Sequence, residues 1–101
     1  MVIGTGTTVY EQVISMDADN NPVSGATFDP ALYLDNSLYT ETVTYSLTDE
    51  SRAIFTFSWS ADTIGSYQLY VKNNLTNVIF ISDIVSVRPD SEFENTIYIG
   101  L

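Results

Sequence analysis

A chain of 101 residues that is 45% hydrophobic and 16% charged reads as one domain, long enough to bury a core without covalent staples. Its formal net charge of -10, with Arg52, Lys72 and Arg88 as the three cations, sets it against phosphate backbones and anionic lipid surfaces, so neither nucleic acid nor membrane is expected as a partner. With no Cys and no His, it carries no thiol nucleophile, no imidazole base and no ordinary zinc site.

The opening "MVIGTGTTVY" has no basic flank and no long apolar run, so no signal peptide is expected, and the initial Met suggests a whole small gene product. Residues 1–7, rich in Gly and Thr, are expected as a flexible N-terminal arm, with the folded domain over 8–101. From there the dominant period is two, in a chain rich in Val, Ile, Thr, Tyr and Phe. Strands are expected near 8–16, 26–35, 38–47, 53–60, 66–73, 77–88 and 94–100. The segments between them carry Asp, Asn, Gly and Pro, which make turns by tolerating positive φ, fixing φ or bonding their own backbone. About seven strands at this spacing predict an all-β, antiparallel β-sandwich.

Alternation assigns faces. Phe28, Leu32 and Leu34 share one face, as do Val43, Tyr45 and Leu47, then Phe55, Phe57 and Trp59, then Tyr67, Leu69 and Val71, and last Ile97, Ile99 and Leu101. These predict the core between the sheets, with Trp59 as an anchor. Tyr33, Tyr39 or Tyr45, Ile54, Tyr70 and Tyr98 fall on the opposite faces and cannot all share that core. The run "NVIFISDIVSV" is apolar on both faces, as for a central strand or one that meets another subunit.

The stretch "DADNNPVSGATF" raises the question of a cation site. Asp17, Asp19 and Asn21 begin like a calcium loop, but Pro22 and Phe28 stand where that loop needs Gly and Glu. A rigid turn is the preferred reading, with a looser Ca²⁺ site from Asp17, Asp19 and Asn21 as the alternative; no other cofactor is expected. Asp29, Glu41 and Asp83 sit on expected strands while the other carboxylates fall mostly in turns, yet a bare sandwich offers them little cleft, so no enzyme is expected. Exposed Tyr beside Asp and Asn would also suit a glycan.

"DADNNPVSGATF" with "SRAIFTFSWSADTIGSYQLYVKN" resembles the Ig-like and transthyretin-like β-sandwich modules, through Pro22, Val23, Gly25 and Ala26, then Gly65, Tyr67 and Leu69. "SADTIGSYQLYVKNN", "VIFISDIVSV" and the ending "TIYIGL" look like the small Cys-free virion proteins of tailed bacteriophages. That resemblance implies a structural protein made in the bacterial cytoplasm and carried in the phage particle. It would decorate or cement the capsid through contacts with other virion proteins such as the major capsid protein, or with copies of itself as a homo-oligomer. Val2, Ile3, Tyr70 and Tyr98 are the expected contact residues. The alternative is a carbohydrate-binding or adhesive module on a phage fibre, a baseplate or a bacterial surface.

Overall fold

The computed structural model describes residues 1–39 and 42–89. Within them lie β1 (Val2–Gly4), β2 (Thr7–Ile14), β3 (Phe28–Leu34), β4 (Ser37–Tyr39), β5 (Thr44–Asp49), β6 (Ile54–Ala61), β7 (Gly65–Asn73), β8 (Ile79–Ile81) and β9 (Val85–Arg88). They form two sheets. The larger runs β1-β9-β7-β3-β4 with β8 also on β7, and the smaller runs β2-β6-β5. The fold is all-β and sandwich-like, as the alternation predicts.

Three departures from the expected strands have local causes. Residues 1–7, expected as an arm outside the sandwich, contain β1, whose Val2, Ile3 and Gly4 pair in parallel with Ser86, Val87 and Arg88. Gly6, at φ +84°, then turns the chain from the larger sheet into the smaller. The expected strand 38–47 is two strands on different sheets, because β4 closes a two-residue hairpin on β3 while β5 pairs with β6. Asp35 and Asn36 make that hairpin at φ +49° and +68°, the twist-compatible turn these residues favour.

The expected strand 77–88 is broken after Ile81. There the buried Ser82 side chain enters the ladder, its Oγ accepting the Leu69 amide at 2.9 Å. A hydroxyl thus stands in for a backbone carbonyl, and the chain resumes as β9 on the same neighbour, β7. The strand expected over 94–100, with Ile97, Ile99, Leu101 and Tyr98, lies outside the described residues, as does Glu41.

The inward faces meet in one core that includes Leu32, Phe55, Phe57, Trp59, Tyr67, Leu69 and Val71. Phe28 packs edge-on against Tyr45, Phe55 and Phe57 at centroid distances of 5.4, 4.7 and 5.2 Å. Burying each such ring stabilises the fold by about 1.5–3 kcal/mol, so this cluster ties the sheets together. Trp59 is buried and lies 4.7 Å from Tyr67, as expected of an anchor. Tyr45 and Leu47 face inward from β5, an edge strand among the described residues, but overhang the core and stay partly exposed.

Two polar ties fix the geometry. The Tyr67 hydroxyl donates to the Thr63 carbonyl at 2.6 Å and accepts the Thr63 amide at 3.1 Å, closing the β6–β7 corner. At the opposite end, Asn73 Nδ2 of the larger sheet donates to Ser15 Oγ, just past β2, at 2.8 Å.

Candidate interaction surface

Among the described residues, β2 is an edge strand: all eight residues pair with β6, and its other side is unpaired. The open side of the sandwich between β2 and β8 holds a groove of about 550 Å³. Its floor reaches the core at Val13, Phe28 and Val71, and its walls include Ile14, Met16, Val78, Ile79 and Phe80. Ile14, Val78 and Ile79 are each more than half exposed. Apolar side chains beside an unpaired backbone edge are what an incoming strand would cover.

The walls follow from local sequence. After β2, Met16 bridges to Pro22, and the segment between folds back as a turn. Asp17 organises it, its Oδ1 accepting the Asp19 amide at 2.9 Å and the Asn21 amide at 3.0 Å. These bonds, first that from Asn21, hold the Asp17 carboxyl below its ordinary value. The carboxylate on which a Ca²⁺ site would depend is engaged by its own turn, and the described residues contain no group of three acidic, His or Cys side chains fit to hold a metal.

On the other wall, the buried Asn73 shapes the β7–β8 connection, its Oδ1 accepting the amides of Leu75 and Thr76. This leaves Val78 and Ile79 projecting beside the groove.

The open side is acidic. Glu11 of β2 is half-buried, and burial first, then the nearby Asp83 charge, pushes its carboxyl above the ordinary value. Asp83 is exposed, between β8 and β9. Asp29 lies across the β3–β7 ladder from Lys72.

Comparisons with protein-family models, with curated proteins and with solved structures find no match.

The sequence-based contact residues are dispersed. Val2 is exposed on β1, an edge strand among the described residues, while Ile3 turns inward against the core. Tyr70 lies on the outer face of the larger sheet, with Tyr33 at 4.9 Å between ring centroids. Tyr98 is outside the described residues. The groove residues Ile14, Met16, Val78 and Ile79 were not singled out by alternation, because nothing in a period of two tells an edge strand from a central one. The one signal was the two-faced apolarity of "NVIFISDIVSV", now explained by exposed Ile79, Ile81 and Ile84 on one side of its path and buried Val85 and Val87 on the other.

Proposed function

We propose that this chain is a non-enzymatic structural protein of a tailed-bacteriophage particle, a capsid decoration or cement protein with an Ig-like sandwich, acting through protein–protein contact. The strand order, the parallel pairing of β1 with β9 and the Tyr67 corner support the Ig-like reading. The virion placement rests on the sequence resemblance.

The observation that carries the contact mechanism is the β2 edge, unpaired among the described residues, beside the apolar groove. A neighbouring virion protein would add an extended segment to β2, gaining backbone hydrogen bonds and seating alternate apolar side chains in the groove. The Glu11–Asp83 pair favours a segment that brings a cation to that rim. Repetition on a symmetric lattice would make individually weak contacts effective.

The test is quantitative mass spectrometry of purified particles, scaled to the major capsid protein. Copy numbers comparable to the capsid subunit support decoration. A few copies per particle move the protein to the connector, tail or fibre, and absence from particles sinks the virion reading.

A further inference from the structure

A second feature lies on the outer face of the larger sheet, away from the groove. Two hollows of about 310 and 230 Å³ adjoin there and share Tyr33, Asn36 and Gln68. Together they make one shallow trough across β3 and β7. Its aromatic wall is the Tyr33–Tyr70 pair, inclined at 64°. Its polar groups are held in place before any ligand arrives. Gln68 Nε2 donates to the Ser82 carbonyl at 2.9 Å, which fixes the amide and leaves its oxygen as an acceptor for the trough. Asp35 Oδ1 accepts the Ser66 amide at 2.9 Å, while the Asp35 amide donates to the Ser66 carbonyl at 2.8 Å. That double tie pins the hairpin turn, and with it Asn36, beside the trough.

We infer that this trough is a binding site for a neutral oligosaccharide. A sugar ring has one face of C–H groups and a rim of hydroxyls. The C–H face is weakly positive and suits the electron-rich face of a tyrosine ring. The hydroxyl rim needs fixed donors and acceptors at the sides, and Gln68, Asn36 and Asp35 supply both kinds. No Lys or Arg lines either hollow, and the chain is strongly acidic, which excludes phosphorylated, sulfated or uronic sugars. A fully apolar ligand is disfavoured because it would strip water from the Asp35 and Gln68 oxygens without replacing their bonds. Two adjoining hollows fit consecutive rings of a chain better than a single compact molecule. The inference does not rest on the virion reading, since it uses a different face and needs no particle.

The experiment is an NMR amide titration of the whole chain with cellohexaose, maltohexaose and N-acetylchitohexaose, each taken to about 10 mM, where even weak sugar sites begin to fill. Saturable shifts confined to residues 33–36 and 66–70 with at least one sugar are expected. Tyr33→Ala should weaken that binding by about tenfold or more, and Tyr70→Phe, which keeps the ring, should leave it nearly unchanged. Should Tyr33→Ala fail to fold, Asn36→Gly keeps the turn's positive φ and should still weaken binding severalfold. No saturable shift with any of the three sugars, shifts that map to the β2–β8 groove instead, or unaltered affinity in the folded variants would each overturn the site.

Discussion

Asn73 and Ser15, 58 residues apart in sequence, meet at 2.8 Å inside the sandwich and tie its two sheets together. The Asn73 amide bonds Ser15 with its nitrogen and shapes the following turn with its oxygen. Replacing either partner strands a buried polar group, at about 1–3 kcal/mol. Asn73→Ala should therefore lower the melting temperature more than Ser15→Ala, because it also releases the Leu75 and Thr76 amides. Equal effects would show that the turn bonds contribute nothing.

Tyr67→Phe keeps the ring in the core and removes only the corner bonds to Thr63. A loss of about 1–2 kcal/mol in denaturant unfolding at neutral pH is expected. Burial raises the Tyr67 phenol above its ordinary value of 10.0. The unfolded chain therefore releases this proton first as pH rises, so the wild-type fold loses stability from about pH 10 upward. The Phe variant lacks this contribution, and the gap between the two should narrow at high pH. A constant gap would show that the phenol does not titrate differently in the two states.

Gly65 is required twice. Its φ is +149°, and a Cβ placed there would stand 2.5 Å from Leu34 Cδ1 and 2.8 Å from Asp35 Oδ2. Gly65→Ala should cost well over 1 kcal/mol, since backbone strain and displacement of the hairpin turn act together. Thermal unfolding of Gly65→Ala beside Gly25→Ala, where a Cβ meets nothing within 4 Å, isolates the effect. Equal melting temperatures would refute it.

Glu11 is disfavoured in its charged form by burial and by Asp83. Its carboxyl titrates above the unfolded value, so a penalty appears as pH rises from about 4.5 and is complete above the folded value. Glu11→Gln removes that penalty. The variant should melt higher than wild type at pH 7, by an amount worth less than about 1 kcal/mol because the site is partly solvated, and the difference should vanish near pH 4. A difference independent of pH would assign the effect to packing instead.

Ile14→Asp and Ile79→Asp place charge in the groove without touching the inward core faces. Each should change stability by less than about 0.5 kcal/mol yet sharply reduce incorporation into particles. Truncating residues 2–7 is a poorer probe. It deletes β1 and its ladder to β9, so lost occupancy would report stability as well as contact.

The Phe55-Phe57-Trp59 and Tyr67-Leu69-Val71 triplets were legible because a pleated strand sends alternate side chains to one face, and a run that is apolar at every second position can bury only that face. Asp35-Asn36 and Asp17-Asn21 were legible as turns because their chemistry is local: short polar side chains that tolerate positive φ or bond the next amides. The break at Ser82 was not legible, because a serine joins a ladder only when a neighbour such as Leu69 is opposite.

Composition by itself left no His- or Cys-based chemistry and set the charge of the chain against phosphate-bearing partners, and periodicity determined an all-β layered fold with its inward faces. These depend on residue identity and spacing of two. Which strands are edges among the described residues, that β4 and β5 part to different sheets, that β2 borders an apolar groove, and that Tyr33, Asn36, Gln68 and Tyr70 share one trough were decided only by the tertiary structure. Each depends on which strands lie side by side, and pairing partners far apart in the chain leave no period in the sequence.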